Sequence, residues 1–295
     1  WGCKATGCKE RVMTDCVMLD IGGSFVKHCA VEGGVFTKPD LFAIRENGTK
    51  EEIIDPILGF LKAHPAARVA VSMPGPMDYD RGISLMTHKF LAIRGISLKD
   101  EVRKVLPDAE VSFVHDGVAF LLGEMADGEA KGLDCAAGVM LGTGLGFVIC
   151  QAGRILVRPV LSPARSLWNL PFLSGIAEDY VSGRAIKRQW TEQTGSALEV
   201  KDIASLAKGG DPRALYLFEQ TGEHLGRLLT AHLQDLPVDK VIIGGQISKS
   251  LHLLMSGIGK TCALPICRAA HPDDAALRGA YAYTQMGRDV LRVVE

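Results

Sequence analysis

The stretch Val17-Met18-Leu19-Asp20-Ile21-Gly22-Gly23-Ser24-Phe25-Val26-Lys27 decides the fold. An apolar run of buried-strand character ends at two glycines and a serine. A second strand, Phe25 to Val31, returns from that turn. Gly33-Gly34 turns the chain again, and Val35 opens a third strand. The pattern comes back after Ala136. Val139-Met140-Leu141 reads as strand, Gly142-Thr143-Gly144-Leu145-Gly146 as turn, and Phe147 to Cys150 as strand. A strand, a glycine turn and a return strand thus occur twice, about 120 residues apart, which predicts two similar lobes.

Outward from these hairpins, strands alternate with helices. Glu51 to Ala63 has helical periodicity. Arg68 to Met73 is a strand ending at Pro74-Gly75-Pro76, and Val111 to Val114 is a strand followed by His115-Asp116 and a helix to about Met125. Further helices are predicted for Ile176 to Thr191, Asp211 to Leu236 and Ala275 to Met286, with Asp211-Pro212 supplying an N-cap and first-turn proline. Lys240 to Ile243 is a strand ending in Gly244-Gly245. This order predicts an α/β protein of two lobes sharing a cleft. The expected lobes are 17–116 and 117–282, with a C-terminal helix over about 283–295 returning to the first lobe and 1–16 a poorly ordered leader.

The 295 residues carry 33 Lys and Arg against 34 Asp and Glu, a net charge of −1. That balance gives no electrostatic case for nucleic acid or an anionic membrane. A hydrophobic content of 47% with 23% charged residues excludes global disorder. No apolar stretch approaches the ~18 residues of a membrane span. The eight cysteines are dispersed, several in strand-like runs, as expected for reduced thiols of a cytoplasmic protein. Cys3 and Cys8, like Cys262 and Cys267, lack a second pair at zinc-finger spacing, so no zinc site is expected.

Chemistry concentrates at the turns. Glycine permits positive φ and brings backbone N–H groups close to a ligand, so each turn is a candidate anion nest; either turn alone reads as a tight hairpin turn, and Asp20 with Thr143 points to the nest. Asp20, ending the first strand, could hold Mg²⁺ beside a polyphosphate, directly or through water. Asp116 is placed to accept a hydroxyl proton, or to cap the helix it precedes. Glu124, at the end of that helix, reads as a solvated face residue. Gly257-x-Gly259-Lys260-Thr261 resembles the end of a P-loop but has Leu254 where the first glycine belongs, and reads as a decoy.

Taken in order, these features resemble the ROK family of sugar kinases, within the actin-like ATPase superfamily. Asp20 to Lys27 resembles D-I-G-G-T-x-x-K. Pro74-Gly75-Pro76 resembles the family's P-G-P loop, and His115 to Glu124 resembles N-D-A-x-x-x-x-x-G-E. Leu141 to Gly146 resembles the second phosphate motif, and Glu178 to Gly183 the E-x-x-x-S-G helix start. Ile242 to Ser248 resembles the adenosine motif, and Ala275 to Ala280 the final A-A-x-x-G-A helix. The resemblance runs from about residue 17 to the C-terminus.

The resemblance implies a two-lobed actin-like ATPase (ribonuclease H-like) fold, a homodimer, and an ATP-dependent carbohydrate kinase. Asp116 would be the general base and Asp20 would organise Mg²⁺. Gly22, Gly23, Ser24, Lys27, Gly142, Thr143 and Gly144 would hold the phosphates, and Gly244 and Gly245 would flank the adenosine. Gly75, Lys89, His115 and Glu178 would meet the sugar. The chain also departs from the family. From Arg158 to Ala177, where E-x-G-H and C-x-C-G-x-x-G-C belong, it has neither Cys nor His. Lys89 and His115 stand where the family usually has asparagines, which points to an anionic or unusual sugar. A catalytically weak sugar- or nucleotide-binding protein is the alternative.

Overall fold

β1 (Thr14–Ile21) and β2 (Phe25–Glu32) form the first glycine-turned hairpin. The computed structural model describes residues 14–294. Two short strands, β3 (Val35–Phe36) and β4 (Asp40–Ala43), pair with β2. α1 (Lys50–Ala63) opens with a capping box between Thr49 and Glu52 and leads to β5 (Ala66–Met73), parallel to β1. β6 (Met77–Asp78) and β7 (Ile83–Ser84) make a small ribbon. α2 (Leu98–Arg103) precedes β8 (Glu110–His115), parallel to β5, and α3 (Asp116–Asp127) follows without a break.

The second hairpin is β9 (Cys135–Leu141) and β10 (Leu145–Gln151), extended by β11 (Arg154–Val157). A ribbon of β12 (Pro171–Phe172) and β13 (Gly175–Ile176) leads into α4 (Gly183–Thr194), α5 (Val200–Lys208) and α6 (Pro212–Leu233). β14 (Lys240–Gly244), α7 (Leu251–Gly259), β15 (Ile266–Arg268), α8 (Ala275–Met286) and β16 (Leu291–Val293) complete the chain.

The two sheets repeat one plan. The first is ordered β3-β2-β1-β5-β8 and the second β11-β10-β9-β14-β15, with β16 added beyond β11. In each, three antiparallel strands continue into two strands parallel to the first strand of the hairpin. Alternation along β9 sends Cys135, Ala137 and Val139 to the core beneath α4–α7, and Ala136 to the core shared with α3 and α8. β1 and β5 are covered on both faces, so Cys16 to Leu19 and Val69 to Met73 are continuously buried. Burying a side chain such as Leu19 or Met18 contributes about 1.5–3 kcal/mol.

α3 and α8 cross with their backbones in contact. A Cβ on Gly123 would lie 2.0 Å from the Ala275 carbonyl oxygen, and one on Gly279 1.7 Å from that of Ala119. Only glycine fits at either position. The same device explains the P-loop-like stretch. A Cβ on Gly257 would lie 1.8 Å from the Glu219 carbonyl oxygen, and Lys260 pairs with Glu219 at 2.9 Å, so these residues seat α7 on α6.

Several expectations are corrected. Thr14 to Cys16, expected in the leader, belong to β1; residues 1–13 lie outside the described residues. The third strand from Val35 has two residues. The helix expected from Ile176 begins at Gly183, because Ser182 caps it by accepting from the Ala185 N–H at 3.1 Å. The helix expected over 283–295 ends at Met286; residues 291–293 form a strand parallel to β11 in the second sheet. Glu124 is fully buried, not solvated. Its carboxylate accepts from the N–H groups of Glu129, Ala270 and His271 at 2.9–3.0 Å and so fixes the loop before α8. No described helix is long and apolar enough to cross a membrane.

Candidate active site

Three parallel strands of the first sheet end side by side. Asp20 on β1 is in register with Ser72 on β5, and Met73 with His115 on β8. The carboxyl edge of such a sheet is where α/β proteins bind ligands, because the loops diverge there. Ser72 is fully buried and donates from Oγ to Asp20 Oδ1 at 2.9 Å. It was missed in the sequence, although a lone serine in the run Val69-Ala70-Val71-Ser72-Met73 was a usable signal. Burial pushes the Asp20 carboxyl up to about 6, and the neighbouring Asp116 charge adds to this; the Ser72 hydrogen bond and Lys27 oppose it.

Asp116 is the first residue of α3. The capping role falls to His115, whose Nδ1 lies 3.0 Å from the Gly117 amide nitrogen. Asp116 Oδ1 accepts from the same amide at 2.7 Å and lies 3.0 Å from His115 Nδ1. Desolvation works to raise the Asp116 pKa. The His115 imidazole, Lys89 and the Gly117 N–H outweigh it and hold the carboxyl below the usual aspartate value. Its side chain is 41% exposed, against 18% for His115. Two carboxylates therefore face one region with divergent tendencies.

Gly75 follows β5. A Cβ there would lie 3.1 Å from Tyr79 Oη and 3.5 Å from His115 Cδ2. Tyr79 donates to the Met73 carbonyl at 3.1 Å, and its ring centroid is 5.9 Å from that of His115. Lys89 precedes Phe90, a fully buried residue held at φ 54°. A bulky residue in the left-handed region is strained, and such strain collects at functional sites. The Phe90 N–H donates to the Glu46 carbonyl, and the Glu46 N–H donates to the Gly23 carbonyl, both at 3.0 Å. Glu46 thus ties the Lys89 segment to the first glycine turn, a link with no local signal.

In each glycine turn the leading amide is consumed: Gly22 donates to the Phe25 carbonyl and Gly142 to that of Gly144. No hydrogen bond engages the amides of Gly23, Ser24, Thr143 or Gly144 among the described residues, and Ser24 and Thr143 are exposed. Free consecutive amides of this kind suit an anion. The expected reason for glycine is corrected here. None of Gly22, Gly23, Gly142 and Gly144 has positive φ. Space matters at two of them: a Cβ on Gly23 would lie 2.3 Å from Glu46 Oε2 and one on Gly144 2.4 Å from Glu178 Oε2, whereas nothing lies within 4 Å of one on Gly142.

Glu178 belongs to the second turn. It accepts from the Leu145 N–H at 2.8 Å and pairs with Arg184. Gly183 and Arg184 donate to the carbonyls of Gly142 and Thr143 at 2.8 and 3.3 Å, so the start of α4 clasps the turn. Between α4 and α5 runs a groove of about 610 Å³, lined by Arg184, Lys187 and Arg188 opposite Glu199 and Asp202. That volume is within the range of small-molecule sites. Gly245, at φ 79°, follows β14 and lies against Leu141, and Gly244 leaves room for the Phe120 ring. Met140 joins the two halves: a Cβ on Gly117 or Gly146 would strike its Cε, at 2.9 and 2.4 Å. Lys27, opposite Asp20 on β2, donates to the Asp273 carbonyl, and Lys249 pairs with the Asp273 carboxylate at 2.8 Å.

No three His, Cys, Asp or Glu side chains form a metal-holding cluster among the described residues. A single carboxylate with free amides nearby suits Mg²⁺, which keeps its waters and takes phosphate oxygens. Asp20, short of positive charge, fits that need. The stretch from Arg158 to Ala177 is tied to the end of α6 and to its neighbours by side-chain contacts. Arg165 donates to the His232 carbonyl at 2.9 Å and pairs with Asp235 at 2.8 Å, and Phe172, Tyr180 and His224 pack edge to face.

The chain matches the ROK family model over residues 16–157 and 174–286. The interruption falls within the stretch that departs from the family pattern. The glucokinase of Thermotoga maritima is 27% identical over 266 residues, covering 80% of this chain and 83% of that protein. The N-acetyl-D-glucosamine kinase of Photobacterium profundum is 24% identical, covering 89% and 96%. The crystal structure of a ROK family glucokinase from Streptomyces griseus, in complex with glucose and AMPPNP, superposes with a TM-score of 0.79. It is 24% identical, with 92% of this chain and 99% of that chain covered. The fold is therefore the two-lobed actin-like ATPase fold, and the chain belongs to the ROK family.

Proposed function

We propose that the protein is an ATP-dependent carbohydrate kinase that transfers the γ-phosphoryl group to a sugar hydroxyl. The observation that carries this reading is one constellation: two turns with free amides, and two aspartates of opposite electrostatic tendency at the carboxyl edge of the first sheet. Phosphoryl transfer asks a protein mainly for positioning and charge neutralisation. The amides of Gly23, Ser24, Thr143 and Gly144 would bind phosphate oxygens from two sides. Asp20 would hold Mg²⁺, which supplies the charge neutralisation of the transfer when bound. The groove beside Arg184 and the end of β14 at Gly244 and Gly245 would take the nucleoside.

Asp116, held in its ionised form, would accept the proton of the attacking hydroxyl. Lys89 would keep it ionised, and Gly75 would leave room beside it for the sugar ring. Glu178 would act first on the second turn, through Leu145, and only then on the sugar. The acceptor class supported by the relatives is a hexose or N-acetylhexosamine. The homodimer implied by the family belongs to the same proposal, and light scattering in solution measures it.

The test is ADP release from Mg-ATP across hexoses, N-acetylhexosamines and sugar acids, beside Asp116→Ala. Sugar-dependent release that disappears in the variant is the expected result. Nucleotide binding without release on any sugar would favour the binding-protein alternative. Preference for the sugar acids would move the acceptor to the anionic class suggested by Lys89 and His115.

A further inference from the structure

We propose that Glu46 is a binding residue for the acceptor: its carboxylate, seated on Gly23 of the first glycine turn and left without a protein partner, accepts hydrogen bonds from sugar hydroxyls held between that turn and Asp116. The inference rests on the kinase reading above. It concerns a residue that lies outside every motif of the sequence.

Backbone bonds fix where Glu46 stands. β4 runs back along β2 and ends with Ala43 opposite Phe25, so the chain emerges beside the first turn. Two N–H groups tie it there: Ile44 donates to the Ser24 carbonyl and Glu46 to that of Gly23, both at 3.0 Å. On its other side the Glu46 carbonyl takes the Phe90 N–H at 3.0 Å, next to Lys89, whose charge acts on Asp116. Glu46 thus bridges the phosphate turn and the segment that flanks the base. A phosphoryl group held at the turn and a base at Asp116 require the attacking hydroxyl between them.

The turn itself places the side chain. A Cβ on Gly23 would lie 2.3 Å from Glu46 Oε2, 2.8 Å from Cδ and 3.2 Å from Oε1, so glycine is what lets the carboxylate rest there. Glu178 rests on Gly144 in the same way, and there the protein answers it with the Leu145 N–H and Arg184. Glu46 receives no such answer. Its neighbour Arg45 pairs with Glu52 at 3.1 Å, and neither carboxylate oxygen of the half-buried Glu46 has a hydrogen bond or ion pair among the described residues. An ionised carboxylate only accepts, so the group it is free to meet is a donor. Phosphate oxygens offer none. Adjacent sugar hydroxyls offer two, one to each oxygen.

The experiment is calorimetric binding of hexoses and N-acetylhexosamines to the nucleotide-free protein, followed by steady-state kinetics, for wild type and Glu46→Gln. Gln keeps the size of the side chain and every backbone bond, and removes the charge and one acceptor. Affinity for the tightest-binding sugar should fall about 10–100-fold and its KM rise in step, while kcat and ATP affinity stay within about threefold. Monodeoxy derivatives of that sugar give a readout that a merely structural role would not move. Deleting one hydroxyl, or its neighbour, should cost wild type about 10-fold in affinity and Glu46→Gln less than about threefold. Equal costs in the two proteins overturn the proposal. So does an unchanged sugar affinity in Glu46→Gln, a loss of ATP affinity in its place, or a protein that binds no sugar at all. Glu46-dependent sugar binding without ADP release would sink the kinase reading and leave the proposal standing.

Discussion

The two glycine turns share a plan and differ in how their carboxylates are treated. Behind the first stands Asp20, which meets one serine hydroxyl and a second aspartate and has its pKa raised to about 6. Behind the second stands Glu178, which is given the Leu145 N–H and the Arg184 guanidinium. The first turn is left with unanswered negative charge, and the second is closed within the protein. A duplicated hairpin has thus been divided into a side that calls for a cation and a side that holds its own shape. Unanswered charge marks the reacting side, since natural folds otherwise pair buried carboxylates.

The strongest way to break this contrast is at Asp116. Asp116→Asn should lower kcat by about 10²–10⁴-fold while nucleotide affinity, measured by titration calorimetry, stays within about threefold. A kcat near wild type would remove the general base from the first side.

Asp20 sharpens the contrast through stability. Its folded pKa of about 6 lies above the ordinary 3.8, so the folded state holds the proton more tightly than the unfolded chain. The resulting destabilisation of the ligand-free protein is absent below pH 3.8, grows as pH rises through 6, and is complete above it. It amounts to at most about 3 kcal/mol, reduced by the partial exposure of the side chain. Asp20→Asn should therefore melt about 2–4 °C higher than wild type at pH 8, with no difference at pH 4, while Mg-ATP binding is lost. A variant that melts lower at pH 8 would show that Asp20 is not short of positive charge.

The second side predicts a smaller, purely geometric effect. Gly144→Ala places a methyl against Glu178 Oε2 and should raise KM for ATP about 10-fold with little change in sugar KM. The reverse pattern would return Glu178 to the sugar. Smallest of all is Lys260→Ala. It removes an exposed pair with Glu219, so the melting temperature should hardly move and ATP affinity not at all. Loss of ATP binding would revive the P-loop-like stretch as a functional element.

What the sequence revealed follows contact range. Both hairpins, the strands they lead to, and the helices from Asp116, Pro212 and Ala275 were legible because apolar runs and glycine punctuation are local signals. Family motifs carried the aspartates and turns. The rest depends on distant partners. Glu124 looks like a surface residue until Ala270 and His271 arrive 146 and 147 positions later to bond it. Arg165 has no local partner and finds the end of α6. The role of Glu46 needs Gly23 and Phe90 together. His115 and Asp116 sit next to each other, yet which of them caps α3 depends on side-chain direction, which residue order does not encode.

The glycine contact of α3 with α8 bears on how the lobes can move. With Gly123 and Gly279 each pressed against the opposite backbone, the helices have no side-chain layer over which to slide. Translation would first have to lift the backbones apart, whereas turning about the point of contact would not. The helix pair is built as a pivot, and Asp116 stands two turns from it, at the end of one of its arms. A short lever travels little, so turning about this contact would leave Asp116 close to its resting place.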